Sequence, residues 1–405
     1  MDVEIRSIAD EEFEAAARSL GTAFSGSFND EDLRRERAVA ELDRWLAAVD
    51  GDAIVGGAAA ASFRMTVPGG REVATAGVTA VGVQPTHRRR GINRALMRAQ
   101  LEDVHERGEP LAALYASEGG IYGRFGYGVA AFLGELTLDV ERSAFIRGYR
   151  SSGRLRLLPR DDALPLMRPV YDAERSRRPG MVATDDRWWE WLFFEPEKDK
   201  DEPVYYVVRD TDGVVDGYCT YSAKHEWPDS IASLKLTVRQ MLASTPQAWA
   251  DVWRFVFDID LVHSVNAWNR PVDEPLLHLM QEPRRLRFSL KDGLYLRLVD
   301  VAQALSSRGY ATEGSIVIEI EDPFCAWNTG RYVLEVNPEG ARCSATTSSA
   351  EIACTATDLG AIYLGGSSFR QLHRAGRVVE LVPGALARID AMFASYLAPW
   401  CPFLF

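Results

Sequence analysis

A strand followed by a basic turn and then a helix is the feature that most restricts the fold of this chain. Residues 78–83 form an apolar run rich in valine, and an amphipathic helix is predicted over residues 91–107. The turn between them reads Arg88, Arg89, Arg90, Gly91. The first turn of a helix has backbone N–H groups without partners and carries the positive end of the helix dipole. Glycine permits close approach of the backbone, and arginine adds charge-assisted hydrogen bonds to phosphate oxygens. The segment therefore predicts a pyrophosphate site.

The chain contains this plan twice. The first unit, residues 1–148, reads as helices over 11–20 and 31–48, an antiparallel meander, and then the strand, helix and strand around the basic turn. The second unit, residues 149–298, has an amphipathic helix marked by three tryptophans near residue 190, a hairpin at residues 212–213, a strand at 231–241 and a helix at 246–260. No arginine–glycine turn precedes that last helix, so the second unit is predicted to lack the anion site.

The third unit, residues 299–405, is different. Strands are predicted first, within residues 315–347, and helices afterwards, at 356–366 and 385–397. This order is typical of an α+β layer. The chain ends in the aromatic sequence PWCPFLF.

Composition narrows the class of protein. The formal net charge of -12 makes nucleic acid an improbable partner. An acidic start without an apolar core, and the lack of any apolar run long enough to span a bilayer, predict a cytoplasmic protein without a membrane span. The five cysteines and six histidines are scattered, which favours neither a disulfide framework nor a metal site.

Two motifs resemble known acetyltransferases. The turn, Arg-x-x-Gly at the start of a helix, resembles the pyrophosphate loop of the GNAT N-acetyltransferases, although Asn93 stands where that pattern has a small residue. The stretch LYASEGGIYGRFGYGVA, residues 114–130, together with PTHRRRG, the degenerate second unit and the aromatic terminus, makes the whole chain resemble the Eis family. The resemblance implies an α+β (α/β layered) chain with tandem GNAT-like domains and a C-terminal domain similar to sterol carrier proteins. It also implies acetyl-CoA as co-substrate and a homo-oligomer, a hexamer in that family.

The resemblance also implies roles for single residues. Those expected to bind acetyl-CoA, first along the pantetheine arm and then at the pyrophosphate, are Val81, Gly82, Val83, Arg88, Arg89, Gly91 and Ile92. Tyr122 corresponds to the general acid that protonates the CoA sulfur, and the free α-carboxylate of the terminal Phe405 corresponds to the base. Burial among Trp400 and Phe403 would raise the pKa of that carboxyl.

Several alternatives remain open at this level. Tyr115 and Tyr127 are equally good proton donors on sequence grounds, Glu118 is a possible carboxylate of the site, and Asp30 is a possible acceptor-binding acid. His87, beside three arginines, is expected to be structural.

Two positions depart from characterised members of the family. Ala80 replaces an aromatic residue and Leu404 replaces an acidic one, and in those members both line the acceptor pocket.

The predicted activity is acetyl-CoA-dependent N-acetylation of a primary amine, on an aminoglycoside-like molecule, a polyamine or a lysine side chain. One alternative is a lipid or sterol carrier with a vestigial or regulatory CoA site. Another is a scaffold with a dead cofactor site.

Overall fold

The computed structural model describes residues 3–146, 148–195, 202–227 and 233–405. Within these ranges the strands are β1 (Val3–Ser7), β2 (Trp45–Asp50), β3 (Ala53–Thr66), β4 (Glu72–Val83), β5 (Leu111–Tyr115), β6 (Gly128–Asp139), β7 (Arg154–Leu158), β8 (Val182–Ala183), β9 (Val204–Thr211), β10 (Val214–Glu226), β11 (Ser233–Ala243), β12 (Val262–Arg270), β13 (Ser289–Leu298), β14 (Gly314–Glu321), β15 (Gly330–Asn337), β16 (Gly340–Ala345), β17 (Ile352–Thr355) and β18 (Val379–Glu380). The α-helices are α1 (Phe13–Ala23), α2 (Asp30–Val39), α3 (Ile92–Glu106), α4 (Arg160–Arg175), α5 (Asp186–Leu192), α6 (Pro246–Phe257), α7 (Leu276–Leu279), α8 (Val301–Ser307), α9 (Ala356–Ile362), α10 (Phe369–Arg374) and α11 (Ala385–Phe393). None of the helices in these ranges is long and apolar enough to cross a membrane.

The first two units share one mixed sheet. Its strand order is β1-β2-β3-β4-β5-β13-β6-β12-β11-β10-β9-β7, with β8 paired to β3. The last strand of the second unit, β13, lies between β5 and β6, while β6 in turn pairs with β12. The two units therefore exchange their final strands, and neither half of the sheet is complete without the other.

Each unit contains a pair of parallel strands that separate along their length. In the first unit, β4 and β5 pair only from Thr75 to Gly77, although β4 continues to Val83 along β3. In the second unit, β11 and β12 pair from Leu234 to Val238, although β11 continues to Ala243 along β10. Beyond these points each pair opens into a wedge whose inner backbone edges are unpaired. We call these the first wedge and the second wedge.

The third unit is a small sheet in the order β16-β15-β14-β17-β18, covered by helices. Its apolar side chains, such as Ile318 and Leu359, are buried in the same cluster as Phe63 of β3 and Phe403 of the C-terminal tail. The third unit is therefore packed directly onto the first.

Most of the predicted elements are present, including both hairpins and the helices α3 and α6 that follow the wedge strands. The helix predicted over residues 31–48 is wrong in its second half, because α2 ends at Val39 and Trp45–Asp50 form β2. Pairing of β2 with both β1 and β3 overrides the helix propensity of its alanines. The strand predicted over 231–241 is described from Ser233 onward, and residues 231 and 232 lie outside the described residues.

Candidate active site

The open edge of β4 and the start of α3 form a groove of about 340 Å³. We call it the strand groove. Its lining residues are Ala23, Phe24, Val81, Gly82, Val83, Arg88, Asn93, Ser117, Glu118, Ile121 and Tyr122. A side chain at position 82 would come within 3.0 Å of Ala23 and Leu20, so only glycine keeps this wall of the groove open.

The basic turn at the end of the strand groove leaves its backbone donors available. Arg89 and Gly91 have positive φ, 63° and 84°, a geometry compatible with a concave nest of N–H groups that binds anions. No side chain among the described residues caps the N-terminus of α3. The Arg88 guanidinium donates to the carbonyl oxygens of Ala23 (2.6 Å) and Val83 (3.3 Å), which holds it beside the groove.

The other basic residues of the turn are bound elsewhere. His87 Nε2 lies 3.2 Å from Asp50 Oδ2, at the end of β2, and Arg90 lies 3.5 Å from the same oxygen. His87 therefore fastens the turn to the first hairpin, in keeping with the structural role expected for it. Among the described residues, Arg88 and Arg89 are the arginines of the turn without a carboxylate partner, and Ile92 is buried at the start of α3.

A second space, of about 330 Å³, lies deeper in the first wedge. We call it the inner cavity. Its walls are largely apolar and combine small side chains, such as Ala59 and Ala80, with aromatic ones, such as Trp45, Trp188 and Trp191. Tyr122, Ser117, Val81 and Phe24 line both the inner cavity and the strand groove. The two spaces therefore meet at the Tyr122 side chain.

The three tyrosines of this region have different surroundings. The Tyr115 hydroxyl donates to the carbonyl oxygen of Cys401 at 2.9 Å. Tyr127 is wholly buried, and its hydroxyl has no partner among the described residues. Tyr122 lines both spaces, and its hydroxyl makes no hydrogen bond with the described part of the chain. Burial raises the pKa of Tyr122 to about 12, so the phenol is protonated at neutral pH.

The C-terminal residue enters the inner cavity. Phe405 lines this space, with its ring 5.1 Å from that of Phe63 and 5.5 Å from that of Tyr115. A β-carbon at Gly77, the last residue of β4 that pairs with β5, would lie 3.2 Å from the Phe405 ring. Phe405 thus occupies the point at which the first wedge opens, and the chain ends in the same cavity that Tyr122 borders.

Two neighbours of the terminus lie elsewhere than expected. Trp400 lines a different space, of about 310 Å³, beside the second wedge, and is therefore not part of the surroundings of the terminal residue. Leu404 borders that same space and does not line the inner cavity. Phe403 is fully buried, with its ring 6.3 Å from that of Phe405. Alternate residues of the extended tail face opposite sides, which explains the difference.

The acidic residues of the inner cavity are Glu36 and Glu41, which the sequence interpretation missed. Trp191 Nε1 donates to Glu36 Oε1 at 3.3 Å, and burial raises the pKa of Glu36 above its usual range. Glu41 accepts from the backbone N–H of Ser62 at 2.8 Å and from its hydroxyl at 2.6 Å. A signal was present, because Glu36 follows Leu33 by three residues on α2 and so shares the helix face of a buried apolar side chain.

The two acids that were singled out from the sequence lie outside the inner cavity. Asp30 is exposed at the start of α2, 3.9 Å from Arg18. Glu118 lines the strand groove and not the inner cavity.

Ala80 marks a distortion of β4 at the wall of the inner cavity. Its φ is 53°, and Ala80 and Val81 together stand opposite Ala58, which makes a β-bulge. A non-glycine residue in the left-handed region costs about 1–2 kcal/mol. Such strain is commonly retained at functional sites, and here it lies three residues beyond Gly77, the last residue of β4 that pairs with β5.

Comparisons with known protein families match all three units. Residues 4–130 and residues 180–298 each match a family described as an acetyltransferase (GNAT) domain. Residues 301–402 match a sterol carrier protein domain. The fold is therefore a tandem of GNAT domains followed by a sterol-carrier-like domain.

Whole-chain relatives carry the same description. An uncharacterized N-acetyltransferase of Streptomyces avermitilis is 42% identical over 408 residues, covering 99% of each chain. N-acetyltransferase Eis of Mycobacterium tuberculosis is 35% identical over 358 residues, covering 85% of this chain and 84% of that protein. The crystal structure of Eis1 from Mycobacterium abscessus superposes with a TM-score of 0.85 at 32% identity, and 100% of each chain is covered.

Proposed function

This chain belongs to the Eis family of GNAT N-acetyltransferases, and we propose that it transfers the acetyl group of acetyl-CoA to a primary amine held in the inner cavity. The observation that carries the proposal is the position of Tyr122, at the junction between the strand groove and the inner cavity. A donor in the groove and an acceptor in the cavity would meet at one hydroxyl group.

The strand groove fits the elongated part of acetyl-CoA. The backbone of Val81, Gly82 and Val83 is unpaired on the side facing β5, so it can exchange hydrogen bonds with the amides of the pantetheine arm. Arg88 and Arg89, with the N–H groups at Gly91 and Ile92, would then bind the pyrophosphate. An N–H group of β4 would polarise the thioester carbonyl.

The transfer itself needs two proton movements. The amine nitrogen forms the new C–N bond, and the C–S bond breaks with its electron pair on sulfur. Tyr122 gives a proton to that sulfur, so CoA leaves as the thiol. The proton lost by nitrogen passes to the terminal carboxylate of Phe405 and on to water, from which Tyr122 recovers its own.

The pKa of Tyr122 suits a donor. A value of about 12 keeps the phenol protonated at neutral pH, so it can donate a hydrogen bond to the sulfur as charge builds up there. Because this pKa lies above the value near 8.5 of an ordinary thiol, full proton transfer to the thiolate is uphill unless the reacting complex lowers the pKa of Tyr122. Its proton moves only in the reacting complex, and the residue does not ionise in the free enzyme at neutral pH.

The charges of the inner cavity support a cationic acceptor. Glu36 and Glu41 place carboxylates on a cavity whose other walls are mostly apolar, and a buried carboxylate is stabilised by an ammonium partner. An acceptor with a second amino group would satisfy this arrangement while its first amine faces Tyr122.

The lipid-carrier alternative is not favoured. Apolar side chains of the third unit pack against each other and against the first unit in one buried cluster. We also propose, from the sequence, domain boundaries at residues 148 and 298 and a cytoplasmic location. A hexameric assembly is proposed from the resemblance to the family.

An acceptor screen tests the function. The full-length protein would be incubated with acetyl-CoA and representatives of three classes, aminosugars, linear polyamines and lysine peptides, and the released CoA thiol would be measured. We expect thiol release with at least one class and a product heavier by one acetyl group. Release no faster than hydrolysis without acceptor, for every class, would contradict the proposal.

A further inference from the structure

The C-terminal tail enters both wedges of the shared sheet. Phe405 lies where β4 and β5 separate, and Trp400, five residues earlier, lies where β11 and β12 separate. Trp400 packs in the same buried cluster as Leu242 of β11 and donates from its indole nitrogen to Asn269 of β12. Both contacts are made beyond the last paired residues of those strands.

Asn269 makes a double contact with the tail. Its Oδ1 accepts from Trp400 Nε1 at 3.0 Å, and its Nδ2 donates to the carbonyl oxygen of Cys401 at 3.1 Å. That same carbonyl oxygen accepts from the Tyr115 hydroxyl at 2.9 Å. Tyr115 ends β5 of the first unit, and Asn269 lies near the end of β12, the equivalent strand of the second unit. One side chain from each unit therefore donates to the carbonyl oxygen of Cys401.

The tail segment is deeply buried and charged groups secure it. Trp400 is 1% exposed, and the guanidinium of Arg270 lies 5.2 Å from its ring centroid. The backbone N–H of Trp400 donates to the carbonyl of Pro179 at 2.9 Å. These contacts fix the tail a few residues before the terminus.

The second unit has lost the features that would bind a cofactor. The side chain of Thr245 accepts from the N–H of Ala248 and so caps α6, and Pro246 occupies its first turn. The helix N-terminus that binds an anion in the first unit is therefore satisfied internally here, and Trp400 fills the adjacent wedge.

We propose that the second GNAT-like unit binds the C-terminus of its own chain. We call this binding site, formed by the contacts of Asn269 with Trp400 and Cys401, the seat. Through it, Asn269 and Trp400 position the carboxylate of Phe405 in the inner cavity. They are positioning residues, since they act through the tail. The catalytic consequence rests on the proposed function of that carboxylate, whereas the seat itself can be tested without it.

The test uses the full-length protein and two readouts. Carboxypeptidase A removes exposed C-terminal aromatic residues, so the rate at which Phe405 is released, followed by intact mass, reports detachment of the tail. Steady-state kinetics give kcat and the KM values for acetyl-CoA and acceptor. The variants are Asn269→Gly, which tolerates the positive φ of 51° at this position, and Trp400→Phe, which keeps an aromatic but smaller ring and removes the indole donor.

Asp212→Gly is the matched control. Asp212 also has a φ of 51°, but it lies in the β9–β10 hairpin of the second unit. We expect Asn269→Gly to release Phe405 about tenfold faster than the wild type and the control. A similar fall in kcat, with an unchanged KM for acetyl-CoA, should accompany it. Trp400→Phe should change both quantities in the same direction by a smaller factor.

If carboxypeptidase A released Phe405 from both variants as slowly as from the wild type, the proposal that Asn269 and Trp400 hold the tail would be wrong. Faster release with an unchanged kcat would overturn the positioning role, provided that a glycine added after Phe405 abolishes activity. If the glycine-extended protein stays active, the proposed catalytic role of the terminus is wrong. In that case only the rate of Phe405 release tests whether the second unit binds the tail.

Discussion

The rings of Tyr122 and Tyr127 meet edge to face with their centroids 6.0 Å apart, yet only one of the two rings borders a cavity. Tyr122 borders the inner cavity and the strand groove, whereas Tyr127 is wholly enclosed. Of the two rings in this contact, only that of Tyr122 is placed to take part in the proposed chemistry.

Replacing Tyr122 by phenylalanine should remove the proton donor and keep the ring contact. We expect kcat to fall by about 10²–10⁴, the usual contribution of a general acid, while acetyl-CoA affinity is retained. Calorimetry and steady-state kinetics measure the two quantities. Tyr127→Phe is the control and should keep kcat. If instead Tyr127→Phe loses activity and Tyr122→Phe keeps it, the roles are exchanged.

The pH dependence of turnover should show no loss from Tyr122 in the neutral range. Its pKa is raised to about 12 by burial, so the hydroxyl is protonated at every pH below that value and its proton is lost only above it. The profile of kcat/KM should rise until the acceptor amine is neutral, near pH 10 for a lysine or polyamine amine, with no descending limb from Tyr122 below that pH. A descending limb between pH 7 and 9 that Tyr122→Phe abolishes would contradict this assignment.

Within the basic turn, we expect Arg88 and Arg89 to bind acetyl-CoA and Arg90 to have a structural role. Replacing Arg88 and Arg89 together by alanine should weaken acetyl-CoA binding by about 2–4 kcal/mol, because charge-assisted bonds to phosphate contribute about 1.5–3 kcal/mol each before screening. Arg90→Ala is the control, since that side chain lies beside Asp50. Isothermal titration of the folded variants gives the affinities. Equal losses in the double variant and the control would show that the turn acts as a whole through its shape or net charge.

Adding one glycine after Phe405 should stop acetyl transfer without displacing a side chain. The extension moves the carboxylate by about 3.5 Å. We expect unchanged acetyl-CoA affinity and a large loss of kcat. Phe405→Leu is the companion variant, since it keeps the carboxylate at its original place and should retain most of the activity. Full turnover by the extended chain would exclude a catalytic role for the terminus.

Glu36 should determine the affinity for cationic acceptors. Glu36→Gln removes one charge from the inner cavity, and we expect the acceptor KM to rise about tenfold or more, with a smaller change in kcat. Because burial raises the pKa of Glu36, the carboxyl is neutral below that pKa, and affinity for a cation should increase as the pH rises through it. Asp30→Asn, an exposed change on the same helix, is the control. Equal KM values for Glu36→Gln and wild type would remove Glu36 from acceptor recognition.

The sequence alone predicted the parts of the site whose structure depends on neighbouring residues in the chain. The run from Val83 to Gly91 contains its own strand end, charges and glycine, so a strand–turn–helix followed from the residues alone. The surroundings of Trp400 and Leu404 did not, because the side that each faces depends on how an extended tail enters two distant wedges. Glu36 was missed for a related reason, since a carboxylate on an apolar helix face has meaning only once the opposite wall is known.

The exchange of β6 and β13 also dictates the order in which the molecule can be completed during synthesis. Strand β5 can pair with β4 early, but it gains its second neighbour, β13, only after residue 298 has left the ribosome. The unit that holds the strand groove therefore cannot close its sheet while the second unit is still being made. A chain released early would expose the unpaired edges of β5 and β6 to other molecules. Phe405 lines the inner cavity and is added after both units, so the wall of that cavity is completed later than the shared sheet.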